Sequence, residues 1–258
     1  MKATVLSVYD EGALERTSLI GARGISMLID VDGERTLFDT GMRGNYLLHN
    51  MDELEVDVNT VDRIVISHAH RAHTGGLAAF LDRRNEAIDV LAPSRIDMRR
   101  TLFGMPLGKT EIPAEASAKM RSTTVNEWTQ LSDNLFVTGK VAAGAAQPPQ
   151  EEENSLVLMT KKGPVLICGC CHHGPENVMS YVRERTNRKV AAIIGGIHLV
   201  RMKRNDVHEV ADMLKGNGPP ALYLNHCTGY SQRTYLREEL GMDAVKEFYV
   251  GTDIQFDV

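Results

Sequence analysis

The sequence predicts an α+β protein, an αββα sandwich with two mixed β-sheets face to face and helices outside. Three observations lead there. Roughly a dozen short runs alternate or are rich in β-branched residues between turn signals. Helical patterns come between them. The same order of strands and helices recurs in both halves, so that each half supplies one sheet of a layered core.

The first half opens as a β-meander: Ala3–Val8, Ile25–Val31 and Arg35–Phe38 are strand-like, and Asp32-Gly33 reads as the tight turn between the second and third. Arg63–Ile66 and Asp89–Ala92 follow. The second set comprises Arg121–Val125, Leu135–Thr138, Ser155–Met159, Pro164–Cys168, Ala191–Ile194 and Ala221–Leu224, with a turn at Lys162-Gly163. The clearest helix spans Asp206–Lys215, where Val207, Val210, Ala211 and Leu214 form one apolar stripe behind Asn205 as N-cap. Gly174–Glu184, with Pro175 in its first turn, and Ser231–Leu240 are helical as well. Met98–Ser122 and Val141–Glu153 lack periodicity and read as long loops.

A chain of 258 residues can bury a large core, and 43% hydrophobic with 24% charged residues is ordinary globular usage. Residues 1–258 therefore read as one domain. A net charge of −5 argues against a broad nucleic-acid or anionic-membrane face, so an anionic substrate must be held by a local cluster of cations. No apolar run is long enough to span a membrane, and the N-terminus leads directly into a strand, which reads as a cytoplasmic chain. The four cysteines, Cys168, Cys170, Cys171 and Cys227, are not spread as a disulfide framework and suit a reducing compartment as small buried hydrophobes. The partner class is thus a small anionic molecule, with no nucleic acid and no membrane; a homo-oligomer is left open.

The chemistry concentrates after the apolar run Ile64-Val65-Ile66, where Ser67-His68-Ala69-His70-Arg71-Ala72-His73-Thr74-Gly75-Gly76 places three imidazoles within six residues at a strand end. Imidazole nitrogen is a favoured ligand of zinc and other borderline ions, and the i, i+2 spacing off a strand end turns two side chains to one side. With nine histidines in the chain, such a cluster is improbable by chance.

This segment resembles the signature of the metallo-β-lactamase superfamily, Ser-His-x-His-x-Asp-His-x-Gly-Gly. Leu37-Phe38-Asp39-Thr40-Gly41 resembles the family's upstream aspartate motif. Downstream, Gly169-Cys170-Cys171-His172, Gly195-Gly196-Ile197-His198-Leu199 and Asn225-His226-Cys227-Thr228-Gly229 are similar to segments of one branch, which includes dihydropterin–ribofuranosylaminobenzene phosphate synthases of methanopterin-type cofactor biosynthesis. The resemblance covers about residues 25–258. It implies metal ligands at His68, His70 and His172 for one ion and at His73 and His226 for a second. It also implies Asp39 as the support that orients imidazoles, with Asp39 and His198 in the catalytic set. The implied cofactor is a divalent ion, zinc first, with manganese, iron or magnesium as other candidates, in one or two copies.

One position departs from the pattern: Ala72 stands where the family has an aspartate ligand. A methyl group cannot coordinate, and an imidazole pair without a carboxylate leaves the cation's charge uncompensated. The centre then works with one ion, or takes a substitute ligand such as His198, His173, Cys170 or Cys227, or the alanine was put in place of an aspartate. Arg71, inside the histidine loop, and Arg201–Arg204, after His198, are candidates to meet phosphates, although the latter also reads as a solvated basic turn. Thr228 with Gly229 is another phosphate-binding candidate, and turn geometry explains the glycine equally well. Tyr9, Phe103 and Trp128 are the aromatic residues that could stack a flat ring, set against a place in the core. Three functions follow: the pterin–arylamine condensation, hydrolysis of phosphoesters or lactones, and pterin or nucleotide binding without turnover.

Overall fold

The computed structural model describes residues 1–93, 100–102, 105–107, 112–141 and 152–258. They gather into two compact units, Met1–Asn126 with Tyr249–Gln255, and Glu127–Phe248 with Phe256–Val258. Each unit holds one seven-stranded mixed sheet.

In the first unit the sheet order is Asp253–Asp257, Lys2–Tyr9, Ser26–Val31, Glu34–Phe38, Arg63–Val65, Ile88–Ala92, Met120–Thr124. Lys2–Tyr9, Ser26–Val31 and Glu34–Phe38 form the expected antiparallel meander. Asp32 and Gly33, at φ 52° and 90°, make the two-residue turn whose twist matches that of the strands. From Glu34–Phe38 onward the pairing is parallel. Parallel neighbours need a crossover, and the helices Gly44–Glu53 and Leu77–Arg83 supply two of them. Neither helix stands out in the sequence. Gly44–Glu53 has no side-chain N-cap and buries Leu47, Asn50 and Met51. The Asn50 amide donates to the carbonyls of Val8 (3.1 Å) and Ile20 (2.9 Å) and accepts the Ile20 N–H (2.8 Å), so a buried polar side chain fixes the segment after the first strand.

The second unit repeats the scheme in the order Val245–Glu247, Ala221–Leu224, Ala192–Gly195, Gly163–Cys168, Leu156–Thr160, Leu135–Val137, Thr129–Ser132. Its early strands are antiparallel and its later ones parallel. Lys161 and Lys162 are the turn between Leu156–Thr160 and Gly163–Cys168, one residue earlier than the sequence suggested, because Gly163 already pairs with Thr160. The central strand Gly163–Cys168 is buried along its whole length, which is why it reads as a continuous apolar run rather than an alternating one.

The helix expected at Asp206–Lys215 runs from Arg204 to Gly216 and buries Val207, Ala211 and Leu214, while Val210 packs at the core's margin. Asn205 is not its cap: the Asp206 carboxylate accepts the Lys203 backbone N–H at 2.9 Å, and the helix starts two residues earlier. Helices Pro175–Thr186 and Tyr230–Leu240 complete the crossovers, the first stopped by Asn187 in the left-handed region at φ 53°.

Within the loop expected at Met98–Ser122 lie a short hairpin, Arg100–Leu102 with Met105–Leu107, and the helix Ala114–Ser117. Residues 98–99, 103–104 and 108–111 fall outside the described residues, as do 142–151 of the second loop. Phe103 is therefore not placed. Tyr9 is fully buried, and Trp128 stacks on Phe136 at 5.4 Å against the second core, so both aromatics serve packing. Among the described residues no helix is long and apolar enough to cross a membrane.

Candidate metal centre

Parallel sheets present their chemistry at the carboxyl ends of their strands. In the first unit the strand ends after Phe38 and Val65 deliver Asp39 and the Ser67–His73 loop. Asp39 has left-handed backbone, φ 61°, and is completely buried. Its Oδ1 accepts the Ser67 N–H (2.7 Å), and its Oδ2 accepts the Ser67 hydroxyl (2.7 Å) and lies 2.6 Å from Nδ1 of His73.

This network assigns the tautomers. A carboxylate only accepts, so His73 carries its proton on Nδ1 and its lone pair on Nε2. The Ser67 hydroxyl spends its hydrogen on Asp39 and therefore accepts from Nδ1 of His68 at 2.9 Å, which puts the His68 lone pair on Nε2 too. That nitrogen is 2.9 Å from Nδ1 of His70. Two zinc-bound imidazole nitrogens in a tetrahedron stand about 3.3 Å apart, from bond lengths of about 2.0–2.1 Å. The pair fits a common ion after an opening of a few tenths of an ångström.

The two motifs interlock by close backbone approach. The Thr40 N–H and hydroxyl both donate to the His73 carbonyl, at 2.7 and 2.9 Å. A Cβ on Gly76 would stand 2.1 Å from the Thr40 oxygen, and one on Gly75 would stand 2.3 Å from that of Met42, so each must be glycine. Ala72 is half-buried, and its carbonyl accepts the Ile25 N–H at 3.3 Å. Arg71 is exposed beside His70.

In the second unit three parallel strand ends present the loops of Cys170–His173, Gly196–His198 and Asn225–Thr228. Cys171, His198 and His226 all take left-handed backbone, at φ 56°, 52° and 50°. That conformation costs a non-glycine residue roughly 1–3 kcal/mol and turns each chain sharply at its strand end. Cys170 Sγ lies 3.5 Å from Nε2 of His226, and Cys170, His226 and Cys227 offer donor atoms all within 4.8 Å of one another. Cys170, His172 and His198 form a second such group, with the His172 and His198 rings 4.4 Å apart. His173 is buried and belongs to neither group. Cys168 and Cys171 are turned into the hydrophobic core, as small buried hydrophobes should be.

Charge organises this cluster. Burial works against ionisation of Cys227, but hydrogen bonds with Cys170 and His198 and the nearby His226 and His198 rings hold its thiol well below the ordinary range. The same thiol raises His198, which is exposed.

A residue that sequence reasoning missed completes the site. Glu153, inside a run of three glutamates that reads as solvated loop, is buried and accepts the successive backbone N–H groups of Cys170 (2.9 Å), Cys171 (2.9 Å) and His172 (2.5 Å). Such a run of amides is an anion-binding nest. Burial nevertheless lifts its carboxyl to about 7. No local signal marks Glu153, because its partners lie about 17 residues away in sequence.

Thr228 is fully buried, and its hydroxyl accepts the Ile197 N–H at 3.2 Å, tying the His198 loop to the His226 loop. Gly229 is set by turn geometry, φ 83°, with Gln232 Oε1 only 2.5 Å from where a Cβ would stand. In the basic turn, Arg204 pairs with Glu238 at 2.7 Å and lies over the Tyr235 ring.

The chain belongs to the metallo-β-lactamase superfamily: residues 23–182, more than half of its length, match that family. It is 26% identical to the 7,8-dihydropterin-6-methyl-4-(β-D-ribofuranosyl)-aminobenzene-5′-phosphate synthase of Methanocaldococcus jannaschii over 90% of each chain. It is also 26% identical to the uncharacterized protein MJ0448 of the same organism, over 83% of this chain and 87% of that one. Among solved structures it resembles Tm1679, a metal-dependent hydrolase of the β-lactamase superfamily, with a TM-score of 0.82, 22% identity and coverage of 99% and 100%. The sheets and helices are those of the metallo-β-lactamase fold.

Proposed function

We propose that this chain is a metal-dependent enzyme that joins a dihydropterin pyrophosphate to a ribofuranosylaminobenzene phosphate, releasing pyrophosphate, in methanopterin-type cofactor biosynthesis. The observation that carries this reading is the similarity to the M. jannaschii synthase along 90% of both chains. Following the family pattern, His68, His70 and His172 hold one divalent ion, zinc first, and His73 and His226 serve a second. The lone-pair assignments at His68 and His73 support ligation through Nε2.

A divalent ion, when bound, supplies charge neutralisation of the pyrophosphate leaving group. The residues do the rest. Asp39 and Ser67 hold the imidazoles in one tautomer, Arg71 meets a phosphate, and Thr228 keeps the loops of His198 and His226 in place. His198, exposed at its turn, hands a proton to the departing oxygen. The arylamine nitrogen attacks the methylene carbon, the carbon–oxygen bond to pyrophosphate breaks, and the proton lost by the amine passes to solvent water. The four cysteines, all thiols, support a place in the reducing cytoplasm.

Ala72 favours a second reading, pterin or nucleotide binding without turnover, because a carboxylate ligand is missing. Pyrophosphate release from the two substrates with zinc or manganese present supports the synthase. Cleavage of simple phosphodiesters or lactones instead makes the chain a hydrolase, and binding without turnover makes it a binder. Elemental analysis of the chain and of Ala72→Asp completes the test: more metal in the variant supports the ligand-loss argument, and equal content removes it and leaves the place of the aspartate to another ligand.

A further inference from the structure

We propose that Cys170, His226 and Cys227 form a thiolate-bearing metal site that replaces the absent aspartate at position 72. This deepens the preceding reading and rests on its assignment of His226 to a metal centre. It does not depend on the substrate.

Three observations carry it. The first is distance. In a tetrahedral zinc site with bonds of about 2.3 Å to sulfur and about 2.0–2.1 Å to nitrogen, a sulfur and a nitrogen ligand stand about 3.5 Å apart. Cys170 Sγ and His226 Nε2 are 3.5 Å apart, and the Cys227 thiol lies within 4.8 Å of both donor atoms.

The second is the space made for the sulfur. A Cβ at Gly196 would stand 2.5 Å from Cys227 Sγ, 2.6 Å from the Gly169 carbonyl and 3.4 Å from the His226 ring. A residue with any side chain would displace the thiol, so the glycine keeps the cradle clear. Cys227 Sγ also lies 3.8 Å from the Cys170 carbonyl, which holds the two cysteine loops in register.

The third is charge. An imidazole pair leaves a divalent cation uncompensated, whereas two thiolates and one imidazole neutralise it. Three ligands leave the fourth position of a tetrahedral site to a further ligand. Cys168 and Cys171, packed into the core, have no part in this. The donor set selects thiophilic ions such as zinc, cobalt and cadmium over magnesium or manganese.

The test uses cobalt(II) titrated into the full chain. Thiolate ligation gives an intense near-ultraviolet sulfur-to-cobalt charge-transfer band that imidazole ligation lacks. The band is expected in the parent chain, reduced by about half in Cys170→Ser and in Cys227→Ser and lost in the double variant, with zinc affinity falling at least ~10-fold in each. On the unmutated chain, zinc should protect Cys227, the half-buried member of the pair, from alkylation read by mass spectrometry, while Cys168 and Cys171 stay unreactive in the core with or without it; this needs no variant to fold. Cobalt uptake without the band, or alkylation of Cys227 unaffected by zinc, overturns this proposal and leaves the histidine centre standing. No uptake of either ion overturns both.

Discussion

Replacing Asp39 by Asn tests the positioning network most directly, because it changes one atom in a completely buried side chain. The amide keeps a single acceptor oxygen. If that oxygen stays on the Ser67 N–H, the new NH₂ group faces Nδ1 of His73, which the carboxylate now approaches at 2.6 Å. His73 must then move its proton from Nδ1 to Nε2 to accept, and Nε2 loses the lone pair needed for a metal. If the amide flips instead, its NH₂ group opposes the Ser67 N–H, donor against donor. Either way one charge-assisted hydrogen bond is lost, ~1.5–3 kcal/mol. Supporting groups of this kind change metal affinity about 10–100-fold. Metal-free Asp39→Asn is therefore expected to melt several degrees lower, and to bind zinc ~10–100-fold more weakly in competition with a chromophoric chelator. A variant that binds zinc as the parent does would refute the tautomer argument.

Two further outcomes follow from the geometry. Gly76→Ala places a Cβ 2.1 Å from the Thr40 oxygen, and since φ is ordinary there the whole cost is steric, ~1–3 kcal/mol or more; calorimetry should show a lower melting temperature, and an unchanged one would mean that the two motifs do not interlock as described. Glu153 gives a pH dependence: its carboxyl sits at about 7 in the folded chain against 4.5 ordinarily, so the folded state holds the extra proton. That contribution is fully present below pH 4.5 and fades as pH rises towards 7, a loss of up to ~3 kcal/mol in metal-free protein. Urea unfolding across this range should show the decline, and Glu153→Gln should flatten it; an equal slope in both chains would remove the buried-carboxylate account.

Much of the fold was legible in the sequence, because the signals are local. Apolar runs bounded by turn residues gave the central strands within a residue or two, Asp32-Gly33 gave its hairpin, and the stripe of Val207, Ala211 and Leu214 gave its helix. Gly44–Glu53 escaped, having no side-chain cap to announce its start and few buried positions. The histidines were legible too, since a cluster of imidazoles at a strand end is rare enough to stand out.

What only the tertiary structure decided is which side chains serve which. The sequence named Asp39, but its hold on Ser67 and His73, and through them the choice of ring nitrogen, depends on loops 28 and 34 residues apart. The four cysteines look alike in the chain; folding turns Cys168 and Cys171 into the core and brings Cys170 and Cys227 to His226. Glu153 gave no sign at all, because a carboxylate is recognised by the amides that surround it, and those arrive from another strand end. Periodicity and composition act over a few residues, so they fix elements; hydrogen-bond geometry and burial act between elements, so they appear only once the chain has closed on itself.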